Sequence, residues 1–194
     1  SYITCDAGLE YTLWSEMIKR VAASTFNAIT VDGDTSTNDT FLAFSSGPKL
    51  DPKYLTHLEE ELHLTAQHLA KAIARDGEGA NCLLEIKVEG AKSNLDAHAI
   101  ARTIASSSLV KTAVNGSDPN WGRIIAALGR AGITFNFNDV KLWIGPYEIF
   151  SNGTPLDFNR QTVSNFMKAR LKGEYLVDDL ISIKLCVGLG KGSA

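Results

Sequence analysis

Cysteine and positive charge are both in short supply in this chain, and each shortage closes off a class of function. The three cysteines, Cys5, Cys82 and Cys186, are odd in number and far apart. They offer no disulfide framework and suit free, buried thiols in a reducing compartment. Nineteen Lys and Arg against 22 Asp and Glu give a net charge of −3. With a pI near 5.8, the basic footprint of a nucleic-acid binder is missing. No apolar stretch approaches the roughly 20 residues that span a bilayer. There is no internal repeat, low-complexity tract or heptad pattern. Histidines 57, 63 and 68 fall at intervals of six and five, which does not bring ligands onto one helical face, and His98 stands alone; no metal site is expected. The chain opens at Ser1 with neither an initiator methionine nor a charged-then-apolar leader, so a cleaved product or part of a longer protein is expected.

What is present is an ordinary globular composition, 44% apolar and 21% charged over 194 residues. That is ample for one large domain or two small ones. Residues 1–7 read as a short strand ending in a turn. Leu13, Trp14, Met17, Ile18 and Val21 recur at helical spacing within Glu10–Phe26. Asp51-Pro52 opens a long helix with a cap residue and a proline in its first turn, and Leu55, Leu58, Leu62, Leu69 and Ile73 form its apolar stripe. Further helices are predicted at Asp96–Ser107, Asn120–Arg130 and Asn159–Leu171. Strands are predicted at Ala28–Val31, Thr40–Phe44, Leu83–Val88, Leu109–Val114, Ile133–Phe137, Lys141–Ile144, Glu148–Phe150 and Leu180–Val187. This mixed order argues for an α/β or α+β fold with helices packed outside sheets. The Gly77–Gly79 stretch is the best hinge, dividing residues 1–80 from 81–194.

All nine residues from Asp32 to Thr40 are Asp, Gly, Thr, Ser or Asn, bracketed by apolar runs. Such side chains bond to nearby backbone and hold tight turns. Asp32-x-Asp34-x-Ser36 after an apolar strand has the look of a phosphatase nucleophile loop, but that chemistry needs a helix to follow, and a second strand is predicted instead. As a calcium loop it lacks the glycine at the sixth place, where Thr37 sits. A hydrogen-bonded turn is the favoured reading. Gly188-Leu189-Gly190-Lys191-Gly192-Ser193 is a poor phosphate loop, since Gly192 interrupts the Gly-Lys-[Ser/Thr] order, and it reads as a strand exit. In Arg75-Asp76-Gly77-Glu78-Gly79-Ala80 a carboxylate lies between two glycines past a helix end. It serves either as an incidental cap or as an anion on bare backbone open to a cationic ligand. In Ser117-Asp118-Pro119-Asn120-Trp121-Gly122-Arg123, Asp118 or Asn120 can cap the helix that follows, and structural pairing is the favoured role for Arg123.

Taken in order, Thr25-Phe26-Asn27 with Ile29–Thr40, then Arg75–Ala80, then Asp118–Arg123 resemble the β chain of the ornithine acetyltransferases, also called glutamate N-acetyltransferases. The likeness spans nearly the whole chain. It implies a precursor that cuts itself before a threonine into α and β chains that remain together, as α2β2 or a higher assembly. The implied fold is the layered αββα sandwich of self-cleaving N-terminal-nucleophile enzymes, with a smaller α/β domain; residues 1–80 would belong to the sandwich and 81–194 to the α/β portion.

The resemblance also implies the chemistry: the new N-terminal threonine takes the acetyl group from N-acetylornithine, releases ornithine, and passes the acetyl to glutamate to give N-acetylglutamate, without a cofactor. Oxyanion donors would come from the α chain. Glu78 matches the substrate-binding glutamate of the family's Asp-Gly-Glu-Gly-Ala motif. The nucleophile itself is expected at the head of a Thr-Met-Leu stretch directly before Ser1-Tyr2-Ile3, so no catalytic residue is expected among the 194. Ser1 is out of register as a substitute. An asparagine and a threonine of the pocket would belong to a segment beyond Ala194. The implied location is cytoplasmic, or an organelle matrix where the α chain carries a targeting signal. Two other readings remain: an amidase or aminopeptidase of the same fold with water as acceptor, and a non-catalytic subunit fragment.

Overall fold

The computed structural model describes residues 1–194, in two compact units, Ser1–Asp76 and Gly77–Ala194. The first begins with strand β1 (Tyr2–Cys5) and helix α1 (Tyr11–Ser24), followed by strand β2 (Leu42–Ser45) and helix α2 (Leu55–Arg75). β1 and β2 pair in parallel, Tyr2 opposite Leu42 through Cys5 opposite Ser45. Trp14, Met17 and Val21 recur along α1 at helical spacing and are buried with Ile3, Leu62 and Ala66. The Trp14 indole N–H also donates to the Ala43 carbonyl at 3.2 Å, tying α1 to β2. Ahead of α2, the Asp51 side chain accepts from the Lys53 N–H, and Pro52 starts a one-turn 3-10 helix. Of the predicted stripe on α2, Leu62 is buried and Leu55, Leu58 and Leu69 pack against the core, whereas Ile73 is 41% exposed.

One face of the β1–β2 pair thus carries Ile3 against the helices. Side chains alternate along a strand, so Tyr2, Leu42 and Phe44 share the opposite face and are all exposed.

The second unit contains strands β3 (Leu83–Ala91), β4 (Lys141–Ile144), β5 (Tyr147–Ser151), β6 (Thr154–Pro155), β7 (Leu180–Cys186) and β8 (Gly192–Ser193). They form one mixed sheet in the order β6-β5-β4-β7-β3-β8, in which only β3 and β7 run parallel. Helices α3 (Asn94–Ala105), α4 (Ser108–Asn115), α5 (Trp121–Gly129) and α6 (Arg160–Arg170) complete the unit. In register across the sheet, Val88, Leu185 and Leu142 align, and Ile183 aligns with Ile144, giving the buried face of the core. The other face carries Lys87, Lys184 and Trp143 in one row, with ion pairs Lys87–Glu85 and Lys184–Glu89, each at 2.9 Å.

The α/β class is as expected, with several local corrections. Leu109–Val114 is helical, inside α4. The Ser107 hydroxyl caps it by accepting from the Val110 N–H, and Val110, Ala113 and Val114 bury one helical face. Burial at helical spacing outweighs the strand propensity of its valines. Ala28–Val31 is not a strand, because Phe26–Ala28 is a 3-10 turn and the chain then runs irregularly into the polar loop. Ile133–Phe137 is likewise not a strand but an irregular approach to a second 3-10 turn at Phe137–Asp139. The short strands β6 and β8 carry too few residues to show any alternation.

Candidate active site

The polar run is a loop held by its own side chains. The Asp34 N–H donates to Asp32 Oδ1 at 2.9 Å and the Asn38 N–H to Ser36 Oγ at 3.1 Å, two side-chain-closed turns in seven residues. Gly33, the middle residue of the first turn, lies at φ +96°, a conformation glycine adopts without strain. Residues 31–40 are exposed throughout. The loop feeds β2, whose partner is β1, forty residues earlier in register, and not the segment just before the loop. Pairing runs past the strand ends: the Ser1 nitrogen donates to the Thr40 carbonyl at 2.9 Å, and the Leu42 N–H donates to the Ser1 carbonyl at 3.0 Å. The amino end of β1 therefore lies against the exit of the Asp32–Thr40 loop.

An open groove between α1 and α2 is lined by Leu13, Met17, Arg20, Glu59 and His63, none of them from the three motifs. Along its wall the Arg20 guanidinium grips Glu59 with two hydrogen bonds, at 2.7 and 2.8 Å. That hydrogen bonding holds the Glu59 carboxyl below the usual carboxylate range, against a smaller opposing effect of burial.

In the second unit, Gly77–Ala80 is a tight turn closed by the Ala80 N–H on the Gly77 carbonyl at 2.9 Å. Gly79, third of the four, lies at φ +74°, where a side chain would be strained although nothing stands within 4 Å of it. Its glycine is thus required by conformation and not by crowding. The turn presents Glu78 at its tip, exposed to solvent. This is the geometry of a carboxylate offered outward on bare backbone.

The Asn115–Arg123 segment is a structural joint. Ser117, buried and at φ +52°, closes α4, with its own N–H and that of Asp118 bonded back to the Val114 and Ala113 carbonyls. Of the two cap candidates Asn120 does the work, its side-chain oxygen accepting from the Arg123 N–H at 3.1 Å. Asp118 instead binds Asn120 Nδ2 and Arg160 Nη2, both at 2.8 Å. Arg123 is structural too, donating to the Leu109 carbonyl at 3.0 Å. Pairing of Asp118 with Arg160, 42 residues away, had no signal in the sequence.

The glycine-rich end is the strand exit expected. The N–H groups of Leu189 and Gly190 both donate to the Gly90 carbonyl, and that of Ser193 to Asn94 Oδ1. A phosphate cradle would need such donors unspent. Cys5, Cys82 and Cys186 form no disulfide, and all three are half-buried and not fully buried as expected.

Comparison with known proteins agrees with these motifs. The ArgJ family profile matches residues 1–194. The chain is 82% identical over 194 residues to the arginine biosynthesis bifunctional protein ArgJ of Prochlorococcus marinus strain NATL2A, covering all of this chain and 46% of that protein. Against the protein of the same name from strain MIT 9313 it is 54% identical over 191 residues, covering 98% of this chain and 45% of the relative. The chain thus spans about half the length of the curated relatives it matches. The crystal structure of the arginine biosynthesis bifunctional protein ArgJ from Bacillus halodurans superposes with a TM-score of 0.90 at 34% identity, covering 100% of this chain and 90% of that one. With its full length inside the family profile and its fold shared with a solved member, this chain belongs to the ArgJ family.

Proposed function

We propose that this chain is the β half of a self-cleaving acetyltransferase that moves the acetyl group of N-acetylornithine to glutamate. The observation that carries the reading is the 82% identity, along all 194 residues, to one half of a protein named for a bifunctional role in arginine biosynthesis. The other half of that protein would be the α partner, and the exposed Tyr2, Leu42 and Phe44 face is apolar in the way a covering layer requires.

The nucleophile in this reading is a threonine three residues before Ser1. Its α-amine, with a pKa of about 7.7–8.0, takes the hydroxyl proton as Oγ adds to the acetyl carbonyl. The tetrahedral intermediate collapses with cleavage of the C–N bond, and the proton leaves on the departing ornithine amine. The glutamate amine then attacks the threonine ester, forming N-acetylglutamate and restoring the hydroxyl. Donors from the α partner stabilise the oxyanion in both halves. Glu78 pairs with the cationic group of the ornithine moiety through charge-assisted hydrogen bonds. No redox or group-carrying cofactor enters this balance.

A two-step exchange is the test. With both halves present and glutamate omitted, labelled ornithine is expected to enter the N-acetylornithine pool, because the acetyl-enzyme forms reversibly without the second substrate. Hydrolysis to acetate with no exchange would favour water as the acceptor and overturn the reading.

A further inference from the structure

We infer that Asn115 is a positioning residue for the donor substrate: its side chain holds Asn81, and through Asn81 it fixes the aim of the turn that presents Glu78. The inference deepens the proposed function and rests on that reading for the role of Glu78. The Asn81 amide Nδ2 donates to Asn115 Oδ1 at 2.9 Å, joining residues 34 apart in the chain. Asn81 directly follows the Gly77–Ala80 turn, and Asn115 is the last residue of α4.

Sterics alone do not set where Glu78 points. It is exposed between two glycines, and a Cβ added to Gly79 would meet nothing within 4 Å. Glycine on both sides widens the range of backbone directions open to the turn. The bond from the Ala80 N–H to the Gly77 carbonyl closes the turn internally. Just beyond it the chain is fixed: Cys82 packs against the core, and the Leu83 N–H donates at 3.0 Å to the carbonyl of the buried Asp179. Asn81 stands between the turn and this fixed strand, so a bond from its side chain acts on the hinge of the turn.

The far end of that bond is rigid. Val110, Ala113 and Val114 bury one face of α4. The N–H groups of Gly116, Ser117 and Asp118 return to the Thr112, Val114 and Ala113 carbonyls, locking the last turn of the helix. Tethering the turn to this helix end passes its rigidity to Glu78, and a preorganised charge binds its partner at lower cost. Because the Asn81–Asn115 bond is itself exposed, its effect falls on the aim of the carboxylate and little on the fold.

The test uses the assembled protein with both halves present. In a two-step exchange, kcat/KM for each substrate reports its own half-reaction. Asn115→Ala is expected to lower kcat/KM for N-acetylornithine about fivefold, the worth of one neutral hydrogen bond. The value for glutamate, whose side chain carries no cation, should stay within twofold of the parent, whereas a merely structural loss would lower both alike. Asn115→Asp keeps an acceptor for Asn81 and should restore the donor value to within twofold. Asn81→Ala should match Asn115→Ala, and the double variant should fall no further. Urea midpoints of all of these are expected at the parent's value. In a Glu78→Ala background, Asn115→Ala should have no added effect. An Asn115→Ala value within twofold of the parent, equal losses for the two substrates, or the same loss persisting without Glu78 overturns the inference. Glu78→Ala alone separates the two claims. If it handles N-acetylornithine as the parent does, the substrate-binding reading of Glu78 fails and the inference with it. If it is impaired while Asn115→Ala is not, only the role of Asn115 falls.

Discussion

Replacing Glu78 by alanine should separate function from folding cleanly. The side chain is at the exposed tip of the Gly77–Ala80 turn, and that turn is closed by a backbone bond, Ala80 N–H to Gly77 carbonyl, which the substitution leaves intact. A surface change of this kind alters unfolding free energy by no more than about 0.5 kcal/mol. A hydrogen bond to a charged group contributes about 1.5–3 kcal/mol, which at 1.4 kcal/mol per decade is roughly a 10- to 150-fold loss in kcat/KM for N-acetylornithine. Gly79→Ala provides the matching control. At φ +74° an alanine is strained by about 1–2 kcal/mol, so the turn reshapes and re-aims Glu78 with its charge still present. The assay is steady-state transfer from N-acetylornithine to glutamate in the assembled protein, beside urea unfolding of the same samples. Unchanged kcat/KM in Glu78→Ala, or a fall matched by lost stability, would refute the substrate-binding role.

Three further outcomes follow from packing and charge. Asp118→Ala removes the bonds to Arg160 and Asn120, both at 2.8 Å, and is expected to cost about 1–2 kcal/mol in denaturant unfolding, with no direct loss of a catalytic group. Leu142→Ala empties a fully buried site between Phe150 and Leu185; its cost should be about 2–5 kcal/mol, read as a shift of the urea midpoint. Glu59 has a carboxyl held low by Arg20. Its folded pKa lies below the unfolded one, so its contribution is fully present above the unfolded value of about 4.3 and is lost as pH falls through the folded value. Glu59→Gln should therefore be less stable than the parent at pH 7 and converge with it in acid, as followed by urea midpoints across pH.

Much of the fold was legible where burial leaves a period in the sequence. β7 alternates buried and half-buried residues from Leu180 to Cys186, and α1 buries Trp14, Met17 and Val21 at helical spacing. The reading failed where propensity and packing disagree. Leu109–Val114 has a strand's composition, but Ser107 caps it and its valines bury as a helix. Pairing over long separations left no trace: β1 with β2 across forty residues, and Asp118 with Arg160. For that reason the Asp32–Thr40 loop was readable as a hydrogen-bonded turn but not as the neighbour of the amino end. Glu78 was singled out by motif alone, and its exposure and glycine-built turn are what the structure adds.

The most direct measurement is to locate the acetyl group itself. The assembled protein is mixed with N-acetylornithine without glutamate, quenched in acid, digested and mapped by mass spectrometry. An acetyl ester on a threonine three residues before the Ser1-Tyr2-Ile3 segment, discharged on adding glutamate, is the predicted result. Acetyl found on Ser1 or any residue after it, or no covalent acetyl despite turnover, would contradict it.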